Sequence, residues 1–318
     1  MADYLHNHRN FEDLLLILEA ETGIIPALIE KDYWIMHVLY GLKKAGFSFE
    51  LKGGTSLSKG LGIIYRFSEN IDIRISPPAE LKVNETSKKK NGITSRFAFY
   101  DWLAKEIRID GILKSERDHE FDSANGMSGG IRLYYETVTD IVPGLKPGIL
   151  LEAGFDQVTP NSPVNISSWA LEKARQNAAI SLIDNTARNI PCYDPRYTFV
   201  EKLQTIITKF RQESADGIER KNYMRQYYDV YCLLGLKEVQ EFLGTEPYMI
   251  HKARRFPKID LAADISQNEA FLLTSDAQRL NFIERYRSTA SLYYKGQPDF
   301  EEILERIQTW LPSCGGGC

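Results

Sequence analysis

The stretch KGGTSLSKGLGIIYRFSENIDIRI, Lys52 to Ile75, joins a double glycine, hydroxyls, a lysine and an acidic strand. Gly53-Gly54 allows a backbone to approach a phosphate closely, and a helix opening after it aims amide N–H groups at that anion. Side chains alternate along a strand, so Asn70, Asp72 and Arg74 share one face of NIDIRI while Ile71, Ile73 and Ile75 share the other. The isoleucine face belongs in a core. The polar face meets either solvent or a ligand, and a divalent cation held there by carboxylates would neutralise a phosphate bound at the glycines. Each feature alone is a weak signal. Together, with residues 56–69 between Thr55 and Asn70, they are considerably stronger.

The elements that must position these residues follow from pattern. Leu14, Leu15 and Leu18, then Ile29, Tyr33, Met36, Leu39 and Tyr40, recur at spacings of three and four and predict two helices within 10–46. FSFELKGG is a strand ending at the glycines, and TSLSKGLGII opens a short helix with Thr55 near its cap. NIDIRIS is a strand stopped by Pro77-Pro78. ELKVNETSKKKNGITSR reads as a loop leading into the helix FAFYDWLAKEI; Lys88, Lys89 and Lys90 with Arg96 make the one dense basic patch, a solvated loop or an attraction for an RNA backbone. GGIRLYYETV and GILLEAGFDQV are strands joined through the turn PGLKPG. On the latter, Glu152 and Asp156 share a face but lie roughly 13 Å apart along a continuous strand, so one of them reaches a metal. Glu152, flanked by apolar residues, is the candidate, with a paired structural acid as the plain alternative. From about Pro195 the pattern is helical: YTFVEKLQTIITKFR, RKNYMRQYYDVYCLLGL and FEEILERIQTW. Lys202 lies off the apolar stripe Phe199, Leu203, Ile206 and Phe210, where a solvated lysine is the default. Arg225 and Asp229 are spaced as an i,i+4 surface ion pair.

GGTSLSKG followed by RFSENIDI resembles the polymerase-β-type nucleotidyltransferase fold, and more closely the AbiEii/AbiGii toxin family of bacterial abortive-infection and toxin–antitoxin systems. The resemblance extends to EKDYW (Glu30 to Trp34), FVEKLQT (Phe199 to Thr205) and RQYYDVYCL (Arg225 to Leu233). It implies an α+β protein: a nucleotidyltransferase domain with a mixed sheet over 1–195, and a helical domain over 196–318 that closes the cleft. It implies a metal site at Asn70, Asp72 and Glu152 for Mg2+ or Mn2+. It further implies catalytic roles for Asp72, Asn70, Lys202 and Asp229, and nucleotide contacts at Gly53, Gly54, Thr55, Ser56, Lys59, Arg66 and Arg225. The substrate would be an NTP, the acceptor hydroxyl that of RNA, a tRNA end, with a cognate antitoxin as partner. Two departures stand out. The family carries Asp-x-Asp where this chain has Asn70-Ile71-Asp72, and Gln226 stands where relatives often carry histidine. An amide oxygen coordinates without charge, so metal affinity and catalysis should both fall. Asn70 marks either a degenerate enzyme or a substitution that traps an active one.

Composition bounds these readings. The 318 residues suffice for two domains, and a net charge of -4 argues against a surface basic throughout while leaving room for a local groove. No run approaches the roughly 20 apolar residues of a membrane span, and FEDLLLILEA carries acids without a cleavage pattern, so a cytoplasmic protein is expected. The five histidines show no ligand spacing; Cys192 and Cys232 suit reduced thiols, and the Cys314–Cys318 tail, with the spacing to clip a metal or form a disulfide, reads first as a flexible end.

Overall fold

A computed structural model of the chain describes residues 2–142, 144–176 and 181–315. It comprises two compact units, one of Met1–Gly62 with Phe67–Tyr193 and the other of Ile63–Arg66 with Asp194–Cys318.

The first unit is built on a mixed sheet of β1 (Phe49–Lys52), β2 (Asn70–Ile75), β3 (Ile112–Asp118), β4 (Ser128–Tyr135), β5 (Ile149–Gly154), β6 (Asn161–Ile166) and β7 (Ala187–Tyr193). The strand order is β3-β4-β5-β2-β1-β7-β6, so β1 and β2 lie at its middle. β2 runs antiparallel to β1 and parallel to β5. The alternation of β2 is realised as expected: Ile71, Ile73 and Ile75 are fully buried, and Asn70, Asp72 and Arg74 are half-buried on the other face. β3, β6 and β7 were not evident from the sequence pattern, nor was the helix Trp169–Arg175.

The helices Phe11–Thr22 and Pro26–Lys44 form where the spacing predicts them. The second starts with proline at its first turn, where the missing N–H costs nothing. It carries EKDYW entirely indoors, and each charged member has a partner, whereas the buried Trp34 indole N–H has none among the described residues. Glu30 accepts hydrogen bonds from the Val138 amide and the hydroxyls of Thr137 and Thr139. Lys31 donates to the Lys146 carbonyl and pairs with Glu69 at 3.9 Å. Asp32 accepts from the Trp169 amide. The motif therefore ties one helix to the β4–β5 connection, to the segment before β2 and to the start of the helix Trp169–Arg175, since a buried charged group left unpaired would be costly.

Two expectations need correcting here. The helical turn after β1 begins at Gly53 rather than Thr55, with Lys52 as the flanking residue, and continues as a π-type turn over Ser56–Gly60. The helix that was expected to start at Phe97 begins at Lys90 and runs to Glu106. Arg96 thus falls inside it, 1% exposed, where its guanidinium holds the carbonyls of Asn84, Ser87 and Asn125. It braces a loop and does not extend a surface patch with Lys88–Lys90.

The second unit is helical, with Pro195–Asp216, Met224–Leu233, Glu246–Arg255, Asp276–Arg287 and Phe300–Gly315 as its principal helices. Asp194 caps the first by accepting from the Arg196 amide ahead of a first-turn proline. Tyr223, Tyr227, Phe271, Phe282 and Phe300 form an aromatic core, and Tyr227 discharges its hydroxyl on the Ala270 carbonyl at 2.6 Å. Cys314 is buried, its carbonyl accepting from Tyr248 and Lys252; Cys318, the other end of the C-GGG-C tail, lies outside the described residues. No described helix is long and apolar enough to cross a membrane.

Candidate active site

The middle of the sheet brings the first group of residues together. Asp72 of β2 is in register with Glu152 of β5 on one side and with Lys52 of β1 on the other. Directly opposed residues on paired strands share a face, so the two carboxylates project side by side. Asn70 lies one step along the same face, and its Nδ2 donates to Glu152 Oε1 at 2.6 Å. Asp156 follows the end of β5 and accepts from Lys52 Nζ at 2.8 Å. The continuous strand assumed for Glu152 and Asp156 therefore stops at Gly154, and Glu152 is the acid beside Asp72.

Proximity is written into the titration of Glu152. Burial raises its pKa, the charge of Asp72 raises it further, and the Asn70 hydrogen bond and Lys52 only partly oppose them, leaving it at about 7. Two carboxylates crowded in this way are what a bound cation would relieve. Among the described residues, however, no group of three His, Cys, Asp or Glu side chains could hold a metal. Asn70 occupies the position that would complete such a group.

Gly53 fits this site in a way no other residue would. Its φ is +71°, and an added Cβ would fall 2.9 Å from Asp72 Cγ and closer still to Oδ2. The close approach of the turn to Asp72 thus requires glycine. Gly54, Thr55 and Ser56 are buried. The Thr55 hydroxyl donates to the Asn70 carbonyl instead of capping the turn, which ties the glycine turn to the start of β2. Ser56 packs beside the buried Cys192, whose thiol burial pushes up to about 12. Lys59 is engaged within the unit: its Nζ is 2.7 Å from Asp32 Oδ1 and lies over the Trp169 ring. Asp32 is wholly buried, which raises its pKa against the opposing charge of Lys59.

The second group belongs to the helical unit. Asp229 is fully buried and accepts a two-pronged hydrogen bond from Arg66, from Nε to Oδ1 and from Nη2 to Oδ2, both at 2.7 Å. Lys202 Nζ is 2.8 Å from Asp229 Oδ2 and donates to Gln226 Oε1, also at 2.8 Å. Burial alone would raise the Asp229 carboxyl, but Arg66 and Lys202 outweigh it and hold it below the usual range. Two cations share one anion, so this cluster keeps a net positive charge. Lys202 is paired and largely covered, not the solvated lysine of the default reading, and Arg225 and Asp229 are both buried rather than a surface pair. The part of Arg66 was not legible in the chain, since it lies 163 residues from its partner. Asp72, Asn70 and Glu152 belong to the first unit; Arg66, Lys202, Arg225 and Asp229 belong to the second.

Comparison with known proteins adds the family. No curated protein matches the sequence significantly. One similar solved structure is that of an antigenic nucleotidyltransferase-like protein from Paracoccidioides brasiliensis, at 13% identity and a TM-score of 0.36 over 87% of this chain and 97% of that one. The family model for the nucleotidyl transferase AbiEii toxin of type IV toxin–antitoxin systems matches residues 38–306, which takes in the glycine turn, β2, β5 and the Lys202 and Asp229 helices. The chain belongs to the AbiEii nucleotidyltransferase toxin family.

Proposed function

We propose that the chain transfers the NMP moiety of an NTP to an acceptor hydroxyl on RNA, a tRNA end, as the toxin of a toxin–antitoxin pair with its own cognate antitoxin. The observation that carries this reading is the Asp72–Glu152 pair beside the glycine turn, with Glu152 held at about 7 by burial and by its neighbour. The donor set suits Mg2+ or Mn2+, with Asp72 and Glu152 as the charged ligands and Asn70 as a neutral one. The ion, when bound, would offset the charge of the triphosphate at the reacting phosphorus. The chain's own residues bind and orient. Gly53 and Gly54 let backbone approach a phosphate, and Lys202, steadied by Asp229 and Gln226, offers the triphosphate a fixed positive charge. Catalysis would then rest on positioning and preorganised charge rather than on a covalent intermediate.

One observation favours a second reading, a nucleotide- or RNA-binding module without catalytic power. The Asn70 amide donates to Glu152, so the position meant for a third charge instead satisfies an existing one. Transfer of label from α-labelled NTPs to total cellular RNA separates the two. The chain as it stands should transfer slowly or not at all, whereas Asn70→Asp should transfer readily and make expression in a bacterial host toxic. An Asp variant inert with all four NTPs would leave only the binding module, and vigorous transfer by the Asn chain would remove Asn70 from the required ligands.

A further inference from the structure

The helical unit carries a second cleft, of about 520 Å3, lined by Tyr65, Tyr228 and Tyr231 together with Lys295 and Arg306. Its volume lies within the range of small-ligand sites. Lys295 Nζ is 3.7 Å from the centre of the Tyr65 ring, and the Arg306 guanidinium is 3.8 Å from that of Tyr231. Among the described residues neither cation forms an ion pair with a carboxylate. Glu302, one helical turn before Arg306, instead accepts a hydrogen bond from the Tyr231 hydroxyl. Tyr65 is 37% exposed, a large ring kept at the surface. The cleft is fixed from behind, because the Tyr65 amide donates to the Tyr228 hydroxyl and the Tyr294 amide donates to the Tyr65 carbonyl.

Aromatic faces beside cations that lack anionic partners are the means by which proteins hold single-stranded nucleic acid without reading its sequence. The accessible rings of Tyr65 and Tyr231 offer stacking to any base, the buried Tyr228 forms the floor, and the cations offer charge to the phosphates that connect the bases. A carboxylate ligand would use the cations and leave the accessible rings of Tyr65 and Tyr231 idle, while an apolar one would bury two uncompensated charges. Tyr65 and Tyr228 are also the chain neighbours of Arg66 and Asp229, so a strand lying in this cleft would run alongside the Asp229 cluster.

We propose that this cleft binds a nucleoside phosphate, the base against the tyrosines and the phosphate at Lys295 and Arg306, as one unit of an RNA strand or as a free nucleotide. None of its lining residues is among those assigned to transfer chemistry, and the proposal does not depend on Asn70.

The test measures binding of a fluorescein-labelled oligouridylate of ten nucleotides to the full chain at several salt concentrations, with unlabelled UMP as competitor. Tyr65→Ala should weaken binding by roughly tenfold, the usual loss of one stacked base. Lys295→Ala, a surface change that leaves the fold intact, should flatten the dependence of log affinity on log salt by about 0.7, the loss of one phosphate contact on a single strand. Displacement by millimolar UMP that disappears in the Tyr65 variant would assign the cleft to a free nucleotide; resistance to UMP would assign it to a strand. Unchanged affinity and unchanged slope in both variants would overturn the proposal. Lys202→Ala should leave the Lys295-dependent part of the slope in place, so this site and the transfer reaction can fail independently.

Discussion

Replacing Asn70 by aspartate perturbs one atom pair whose surroundings are known. The amide now donates to Glu152 Oε1 at 2.6 Å, a hydrogen bond to a charged acceptor worth about 1.5–3 kcal/mol. An aspartate there would lose the bond and place a third carboxylate beside Asp72 and Glu152. The repulsion is capped because Glu152 already titrates at about 7 and can take up a proton at little cost. A net loss of about 2 kcal/mol is therefore expected for the metal-free variant. For a unit the size of Met1–Gly62 with Phe67–Tyr193 this corresponds to a fall of roughly 4–8 °C in melting temperature. Mg2+ should reverse it: at a hundred times its Kd, a ligand bound only by the folded state adds about 2.7 kcal/mol. The assay is thermal unfolding of both proteins in EDTA and in a Mg2+ series. The Asn chain should melt higher in EDTA and respond weakly to Mg2+, and the Asp chain should show the converse. Equal melting in EDTA together with equal Mg2+ responses would refute the assignment of residue 70 to a metal-binding group.

Three other outcomes follow from the same geometry. Glu152→Gln should remove a pH dependence: a carboxyl raised from 4.5 to about 7 on folding stabilises fully below pH 4.5 and progressively less as pH rises to 7, so the parent should lose stability relative to the variant across that window in EDTA. Arg66→Met should lower the melting temperature by roughly 10 °C or more, because it removes the two-pronged partner of a wholly buried Asp229 and leaves Lys202 paired with it; a change under 1 °C would show the pair to be dispensable. Gly53→Ala should destabilise more than Gly46→Ala, since both have positive φ but only the first places its Cβ against Asp72; equal losses on urea unfolding would show that the approach to Asp72 is not tight.

What the sequence exposed and what it hid have separate physical causes. The polar face of β2 was legible because a strand side chain's direction is fixed by parity, so Asn70 and Asp72 had to share it. Glu152 was legible as a candidate, yet its register with Asp72 was not, because pairing between strands 80 residues apart leaves no local trace. β6 and β7 were hidden by their own composition: Pro163 faces Pro191 across the pair, and proline weakens a strand pattern wherever it occurs. Arg96 was misplaced for a related reason. A run of exposed lysines beside it set the apparent character of the segment, while its burial is dictated by three backbone carbonyls supplied by loops at 84–87 and 125.

The same distinction separates the two halves of the chemistry. Around Asp72 the residues that matter lie close in sequence or on strands with clear parity, and what departs from expectation is a single side chain, Asn70. Around Asp229 the sequence supplied the acid and Lys202 but not the group that lets the acid remain ionised while wholly buried. That group is Arg66, which follows the apolar Ile63-Ile64-Tyr65 after the glycine turn and belongs by its contacts to the helical unit. A carboxylate buried with one lysine would be costly, whereas one buried with a two-pronged arginine and a lysine is held ionised and leaves one positive charge in surplus. In the proposed reading, Arg66 and Lys202 together, rather than the lysine alone, would attract a polyphosphate. The Arg66–Asp229 pairing also gives the short segment Ile63–Arg66 a role in the helical unit: its arginine supplies the two-pronged partner that the helices alone do not give Asp229.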